Sequence, residues 1–407
     1  MKNKVSRHIF IFIIYILLVI FGISKAMIAR IGYSGIDLMV HAKHGEFTET
    51  NVKTFIREVD TSTSGNLRYH DQLIDLNSAK DRALNTRIVK KDSTTIIKTD
   101  TDYLVYPTGK VKQEDLDELA ARVDALRQIS EKNGAGFLYI AAPRKEYYSK
   151  APGYINNASV VNFNGFIQSL EDMNVPTLDL SKMIEQRFSN GEDAYFATDH
   201  HWTPYTGFQA NQAICEELHE LYNMPIDESK LDYAQYNTHV YQDWFLGSQG
   251  KKVGTYFTSR GADDFELITP KFETQLSEEQ PFKNEFREGS FEETVLYLDN
   301  MEKDYYHKNS YATYSGGDFR LQIIKNKLNT EGKKILIVRD SYACAVVPFL
   351  SLQASEIHVV DIRPGDQYVG DRLSVYQYIE EIKPDYVLVL YCGISNIANE
   401  KRWFNFE

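Results

Sequence analysis

The sequence predicts an α/β fold in which a parallel sheet is flanked by helices and preceded by a membrane-spanning helix. Short apolar runs, typical of buried strands, alternate with stretches of helical periodicity, and this alternation indicates a parallel sheet covered on both faces. At the N-terminus, Lys2, Lys4 and Arg7 precede an unbroken apolar run from Ile9 to Ile23. The length of 407 residues suits one large domain with elaborations or two domains.

Residues 1–30 are predicted to form a cytoplasmic tip and a transmembrane signal-anchor. The apolar run is near the short limit for crossing a membrane, but Lys25 can snorkel and residues 26–29 extend the run. Because the basic residues precede the run, the positive-inside rule predicts export of the remaining chain, held at the cell membrane by a single span. Cleavage by signal peptidase at residues 24–26 stays open as the alternative.

The exported chain is predicted to begin with an irregular linker, residues 31–84, followed by one α/β domain, residues 85–407. From Arg87 to Leu104, β-branched residues recur around two turn signals and favour one or two hairpins. Five aliphatic residues at helical spacing between Leu116 and Ile129 then predict a helix.

Helices and strands alternate through the rest of the domain, with one interruption. Between about residues 223 and 319 the regularity lapses into a stretch rich in Tyr, Asp and Glu, which we interpret as an insertion or cap. The predicted strands cover 137–142, 177–180, 334–338, 357–361 and 385–391, and the predicted helices cover 163–170, 204–222 and 372–382.

Composition excludes several classes of function. The formal net charge is -12, and acidic and basic residues are mixed along the chain, so no broad basic surface is expected for nucleic acid. Cys215, Cys344 and Cys392 are widely spaced and lie mostly in apolar sequence. They are therefore interpreted as buried free thiols, not as a disulfide framework or a nucleophile.

Ser341 lies at a predicted strand-to-helix turn. It follows the strand 334–338 in the segment Arg339-Asp340-Ser341-Tyr342, and an apolar run that can begin a helix comes next. Open parallel sheets carry their sites beyond the carboxyl ends of strands, and a helix N-terminus offers N–H groups to a developing oxyanion. The alternative is that Asp340 or Ser341 only caps the helix.

Asp199, His200 and His201 form a second polar segment, just before the helix predicted from Pro204. A carboxylate beside a histidine can hold the imidazole in one tautomer and stabilise its charged form while the imidazole deprotonates a serine. Two alternatives stay open. The three residues could bind zinc, although no other cluster at ligand spacing supplies further ligands, or Asp199 could only cap the helix.

Gly365 and Asn396 follow the other two C-terminal strands. The Gly365 N–H, the Asn396 side chain and the turn at Ser341 are the candidate oxyanion donors, although glycine and asparagine are also ordinary turn residues.

The order of these segments resembles a known superfamily. Asp340-Ser341, then Gly365, then Gly393-x-x-Asn396 is similar to the first three sequence blocks of SGNH (GDSL-type) hydrolases. In this chain the Asp-His-His-Trp motif at 199–202 precedes the serine block, and this rearranged order resembles the AlgX- and AlgJ-like alginate O-acetyltransferases and the related DHHW family. The resemblance covers roughly residues 85–400. It departs from the GDS pattern at Arg339, where glycine is usual.

The resemblance implies that Ser341 is the nucleophile, His201 the general base and Asp199 its orienting carboxylate, with no metal or organic cofactor. It also implies O-acetyl transfer to an extracellular polysaccharide or cell-wall glycan, with an MBOAT-type membrane acyltransferase as the partner that supplies the acetyl group. A carbohydrate acetyl esterase is the nearest alternative, because only the attacking alcohol or water differs. A non-catalytic glycan-binding scaffold is another.

Two features are candidates for substrate binding. Trp202 can stack on a sugar, or it can pack beneath the neighbouring histidine. Lys251 and Lys252 belong to the glycine-bearing segment 245–252 and are candidates for contact with an anionic polymer, although a solvated loop is the alternative.

Overall fold

The computed structural model describes residues 69–363 and 373–407, apart from Asp92, Tyr154 and Asn156, together with a few isolated residues before 69. The predicted anchor in residues 1–30, most of the predicted linker and the oxyanion candidate Gly365 lie outside the described residues. Within the part that is described, no helix is both long and apolar enough to cross a membrane. The chain divides into two compact units, Met1–Ala83 and Leu84–Glu407.

Helices and strands alternate along much of the described chain, and both are numbered in chain order. The strands are β1 (Ile88–Lys91), β2 (Thr94–Lys98), β3 (Leu104–Val105), β4 (Gly136–Ala142), β5 (Thr177–Asp179), β6 (Tyr236–Phe245), β7 (Asp263–Pro270), β8 (Leu276–Gln280), β9 (Glu285–Gly289), β10 (Leu321–Asn326), β11 (Lys334–Arg339), β12 (Glu356–Val360) and β13 (Tyr386–Cys392). The helices are α1 (His70–Ala83), α2 (Gln113–Lys132), α3 (Lys145–Tyr148), α4 (Ser159–Asp172), α5 (Leu180–Arg187), α6 (Pro204–Tyr222), α7 (Ser248–Val253), α8 (Phe291–Val295), α9 (Val347–Leu350), α10 (Val375–Ile382) and α11 (Ile397–Trp403). Short 3₁₀ helices include Gly191–Ala194, Ser310–Thr313 and Ser341–Ala345.

Local sequence signals explain the ends of α6, the helix that follows the histidine motif. The side chain of Thr203 accepts a hydrogen bond from the Thr206 N–H, and Pro204, which lacks an N–H, occupies the first helical position. At the other end, Asn223 adopts a left-handed conformation with φ 52° and closes the helix. The start of α6 is therefore held firmly beside the motif.

The main sheet is mixed, with the order β5-β4-β13-β11-β12-β10-β8-β9. The neighbouring strands β5, β4, β13, β11 and β12 are parallel to one another. Each of the next three strands, β10, β8 and β9, pairs in antiparallel orientation with the strand before it in this order. The prediction of a parallel sheet is therefore right for five strands and wrong for three. Part of the reason is compositional: β8 (LSEEQ) and the edge strand β9 (EFREG) are polar and lack the apolar runs that mark buried parallel strands.

The two faces of the sheet pack against separate cores. Along β11, Ile335 and Ile337 face the core that contains α5, α6 and α9, whereas Leu336 and Val338 face the core that contains α2, α4 and α10. This alternation follows from the two-residue period of a strand, and both sides are apolar because helices cover both faces. The sheet is thus a rigid support for its carboxyl edge.

Residues 223–319, interpreted as an insertion or cap, hold β6 to β9. Strands β6 and β7 form a two-stranded ribbon, and β8 and β9 extend the main sheet. Near the start of the domain, β1, β2 and β3 form a separate small antiparallel sheet. This sheet matches the hairpins expected between Arg87 and Leu104.

Candidate active site

Ser341 lies directly beyond the carboxyl end of β11, at the first residue of a 3₁₀ helix. The Asp340 carboxylate caps this helix: Oδ1 accepts from the Tyr342 N–H at 2.9 Å, and Oδ2 accepts from the Cys392 N–H at 2.7 Å. Asp340 thus ties the turn to the neighbouring strand β13. Because Asp340 does the capping, the Ser341 hydroxyl is left for other contacts.

His201 connects this hydroxyl to Asp199. Its Nε2 lies 2.7 Å from Ser341 Oγ, and its Nδ1 lies 2.5 Å from Asp199 Oδ1. A proton on Nδ1 donated to Asp199 leaves Nε2 as the acceptor for the Ser341 hydroxyl, which is the tautomer that a general base needs. Asp199 and His201 are buried, with 3% and 7% of their surfaces exposed. The structure therefore brings together the three residues predicted from distant parts of the chain.

Asp199 is held in its ionised form. Burial opposes ionisation, but interactions with His200 and His201 and a hydrogen bond from the Ser248 N–H outweigh it, so the pKa of Asp199 lies well below its usual value. The Ser248 N–H donates to Asp199 Oδ2 at 2.6 Å, while the His201 N–H donates to Oδ1 at 3.0 Å. A negative charge therefore faces the imidazole and can stabilise its protonated form.

The segment 245–252 serves this site as a support that sequence reasoning did not identify. Its Gly247 lies so close to Asp199 that a Cβ on Gly247 would overlap the Asp199 Cβ and backbone. The N–H groups of Gly247 and Gly250 donate to Thr198, to its hydroxyl and its carbonyl respectively, both at 2.8 Å. Its first residues thus pack against the backbone that carries Asp199, and only glycine permits the approach at 247.

Lys145 is a second support that the sequence did not reveal. Its ammonium group is fully buried and lies within hydrogen-bonding distance of four acceptors: the carbonyls of Phe196 at 2.9 Å, of Ala197 at 3.2 Å and of Asp199, and Gln249 Oε1 at 3.0 Å. Burial lowers the pKa of Lys145 to about 8, against the opposing effect of nearby acids such as Glu146. A Lys after a buried strand and Pro143 carries no recognisable signal, because its partners are backbone carbonyls distant in sequence.

Trp202 is fully buried, so neither face of its indole is open to a sugar. Its Nε1 donates to the Tyr342 carbonyl at 3.0 Å, and the Tyr342 hydroxyl donates back to the His200 carbonyl at 2.5 Å. Of the two interpretations of Trp202, the structure supports packing and contradicts stacking on substrate. The reciprocal hydrogen bonds join the histidine segment to the serine turn.

The structure describes two of the three oxyanion candidates, Ser341 and Asn396. The Ser341 N–H donates no hydrogen bond within the described residues, so it can serve a developing oxyanion. Asn396 is exposed at the start of α11, and its N–H donates to Glu400. The structure does not bring its side chain into contact with Ser341 or His201 within the described residues.

Lys251 and Lys252 have protein partners in the structure. Lys251 Nζ donates to the Lys308 carbonyl at 2.5 Å, and burial lowers the pKa of its ammonium group. Lys252 Nζ donates to the hydroxyl of Thr94 at 3.2 Å and lies 5.9 Å from the centroid of the Tyr106 ring. Contact of these lysines with a polymer stays a prediction.

Asp199, His200 and His201 also place ligand atoms within 4.8 Å of one another, as a metal site would require. Binding an ion there would compete with the hydrogen bonds from His201 to Asp199 and Ser341. The absence of a metal requirement stays a prediction.

Arg339, which departs from the GDS pattern, has a structural partner. Its guanidinium is almost fully buried, forms an ion pair with Asp318 and donates to the Gly317 carbonyl at 2.7 Å. The side chain thereby holds residues 317–318 beside the serine turn.

Burial raises the pKa of the nearby Cys344 thiol to about 12, so this thiol is neutral at ordinary pH and a poor nucleophile.

Comparisons with known proteins identify which part of this chain resembles a known family. Residues 100–242 match the family model described as the SGNH hydrolase-like domain of the acetyltransferase AlgX. The resemblance to AlgX-type SGNH domains is therefore confirmed. No curated protein matches the chain.

The solved structures that share the fold include a Bacillus cereus protein and a DHHW family protein. PatB1 from Bacillus cereus, solved with a sulfonyl adduct, is 22% identical, with a TM-score of 0.62 over 79% of this chain and 99% of that one. A DHHW family protein from Eubacterium siraeum DSM 15702 is also 22% identical, with a TM-score of 0.56 over 77% of this chain and 96% of that one. At this level of identity the likeness establishes a shared fold and nothing about activity or substrate.

Proposed function

We propose that this protein is an extracytoplasmic O-acetyltransferase that transfers acetyl groups to a surface or secreted polysaccharide through an acyl-enzyme on Ser341. The observation that carries the proposal is the position of His201, 2.7 Å from Ser341 Oγ through Nε2 and 2.5 Å from Asp199 through Nδ1. The match of residues 100–242 to an acetyltransferase family supports the choice of acyl group.

The proposed reaction has two halves. In the first, His201 Nε2 takes the proton of Ser341 as Oγ attacks the acetyl carbonyl, and the imidazolium returns this proton to the leaving group of the donor. In the second, His201 deprotonates a sugar hydroxyl, whose oxygen attacks the acetyl-serine ester, and the imidazolium returns the proton to Ser341 Oγ as the ester bond breaks. Asp199 stays ionised throughout and stabilises the imidazolium. The Ser341 N–H is a donor for the oxyanion in both halves.

The location and the partner belong to the same proposal. Residues 1–30 would anchor the protein in the membrane with the catalytic domain outside, next to an MBOAT-type acyltransferase that supplies acetyl groups from the cytoplasmic side. The basic residues Lys2, Lys4 and Arg7 before the apolar run favour this orientation.

Replacement of Ser341 by alanine tests the mechanism. Turnover of a chromogenic acetyl ester should fall by about 10⁴-fold, because the nucleophile is lost while the fold remains. The exposed Ser229 provides a matched control, and its alanine variant should keep full turnover. A sulfonyl fluoride should label the wild-type protein at Ser341 and leave Ser341→Ala unlabelled, as measured by mass spectrometry. Unchanged turnover in Ser341→Ala would mean that the Ser-His-Asp set is not the catalytic machinery and that a scaffold role fits better.

The choice between transfer and hydrolysis is tested with the same ester as donor. Adding an oligosaccharide should divert acetyl groups from acetate to the sugar, because an alcohol and water compete for one acyl-enzyme. Acetate as the only product at saturating oligosaccharide would identify an esterase.

A further inference from the structure

A surface pocket opens beside the turn that joins β8 to β9. Its lining includes Gln280, at the end of β8, and Leu321, at the start of β10. Because Leu321 pairs with Val360 and Val360 pairs with Val338, the pocket lies at the same edge of the sheet as Ser341. The three strand spacings from β11 to β8 correspond to about 14 Å, so one extended polymer can reach both places.

The pocket combines aromatic and cationic side chains. Phe282 is 56% exposed, and the Arg320 guanidinium lies 4.3 Å from the centroid of the Phe282 ring. The Lys283 ammonium lies 4.1 Å from the centroid of the Phe319 ring. Concave sites lined by aromatic rings with a few convergent polar groups are typical of ligand pockets, and an open aromatic ring offers a surface on which a sugar can stack.

The local charge is positive although the chain as a whole is acidic. Asp318 also lines the pocket, but it is paired with two cations, Arg339 and Arg363, the latter at 3.0 Å. These ion pairs outweigh the effect of burial, so the pKa of Asp318 is lowered and the carboxylate stays ionised and neutralised by its partners. Lys283 and Arg320 therefore dominate the charge that a ligand meets, which favours a negatively charged group.

Gln280, which lines the pocket, is held by hydrogen bonds to neighbouring side chains. Gln280 is 2% exposed, and its Nε2 donates to Glu278 Oε1 at 2.6 Å and to the Tyr297 hydroxyl at 2.5 Å. Its Oε1 accepts no hydrogen bond from the described residues.

We propose that this pocket binds a negatively charged sugar unit of the acceptor polymer while another unit of the same polymer presents its hydroxyl to Ser341. This inference rests on the proposed function and specifies its substrate class as an anionic glycan. Phe282 provides the stacking surface, and Lys283 and Arg320 provide the charge. The pocket therefore contributes to binding of the acceptor and takes no part in the reaction at Ser341.

Substitutions in the pocket separate acceptor binding from chemistry. In Phe282→Ala and Lys283→Gln, we expect the KM for an oligosaccharide of uronic acid units to rise about fivefold or more, with hydrolysis of a small acetyl ester unchanged. Phe286→Ala is the matched control, because Phe286 is 63% exposed on β9 and does not line the pocket. An unchanged KM in both pocket variants, or an equal rise in Phe286→Ala, would overturn the inference.

Direct binding makes the test independent of catalysis. Ser341→Ala should bind the uronic acid oligosaccharide in titration calorimetry, and adding Phe282→Ala or Lys283→Gln should weaken this binding about fivefold. The carboxyl-reduced oligosaccharide should bind more weakly than the charged one, and the Lys283→Gln change should narrow this difference. Binding without acetyl transfer by the wild type would reject the proposed function and keep the pocket. Equal binding of the charged and reduced forms, or no effect of the pocket variants, would reject the pocket assignment.

Discussion

The phenol ring of Tyr311 lies parallel to the imidazole of His201, with 4.0 Å between the ring centroids and 12° between the ring planes. The Tyr311 hydroxyl donates to the carbonyl oxygens of Ser341 and Tyr342, at 3.0 and 3.2 Å. One buried side chain therefore contacts both the histidine and the backbone of the serine turn. It links the two segments whose relative position decides whether Ser341 can pass its proton to His201.

We expect Tyr311→Leu to lower kcat for a small acetyl ester about tenfold, with little change in KM. A parallel aromatic pair contributes about 0.5–1.5 kcal/mol, and about 1.4 kcal/mol corresponds to a factor of ten in rate. Tyr311→Phe is the matched variant, because it keeps the ring and loses the hydroxyl. It should retain most of kcat and lose about 1 kcal/mol of unfolding free energy. If the Phe variant loses as much kcat as the Leu variant, then the hydroxyl, and not the stacked ring, positions His201.

Gly247→Ala should lower kcat about 100-fold, because the added Cβ would overlap Asp199 and displace the carboxylate that orients His201. The unfolding free energy should also fall by about 1–3 kcal/mol, as expected for overpacking. Gly109→Ala is the control, because its Cβ would meet no atom within 4 Å. Both quantities are measurable by steady-state kinetics and urea unfolding. Full activity in Gly247→Ala would show that the Asp199 position tolerates movement.

Acidification should destabilise the folded protein through His200. Burial lowers the pKa of His200 to about 3, assisted by His201 and opposed by Asp199, whereas the unfolded chain protonates this histidine near its ordinary value of about 6.5. Between these values the unfolded state binds more protons, so the unfolding free energy falls as the pH drops from about 6.5 towards 3.

The measurement is urea unfolding at about pH 7 and about pH 5, in the wild type and in His200→Gln. Between about pH 7 and about pH 5, the unfolding free energy of His200→Gln should fall less than that of the wild type, because the variant lacks one group that gains a proton on unfolding. His239→Gln replaces an exposed histidine on β6 and should behave like the wild type. A loss in His200→Gln as large as in the wild type would show that His200 does not contribute to the acid sensitivity.

The limits of prediction differ between the parts of the fold. The strands β4, β11, β12 and β13 are apolar runs with turn signals at their ends, so they could be located from local sequence. β8 and β9 could not, because their side chains are mostly polar and their place in the sheet depends on the pairing of β8 with β10. Such pairing joins residues far apart in the chain and leaves no periodic signal.

The same distinction holds within the site. Ser341, His201 and Asp199 could be named because their residue types and order resemble a known arrangement. Lys145, Gly247 and Tyr311 could not, because they act through backbone carbonyls, through a close approach and through a stacked ring. Trp202 shows the opposite error: its residue type suggests contact with a sugar, but its indole is fully buried against Tyr342.

The sequence by itself determined the α/β class, the apolar strands of the sheet and the residue types available for acyl transfer, because these depend on local periodicity and on side-chain chemistry. Only the tertiary structure decided that His201 lies between Asp199 and Ser341, and that the turn after β8 and the segment before β10 form the aromatic and cationic pocket along the same edge. Those relations depend on contacts between segments separated by up to 142 residues, as from Asp199 to Ser341. Such contacts are held in place by the packing of the whole sheet against its helices, because local sequence preferences do not act between distant segments.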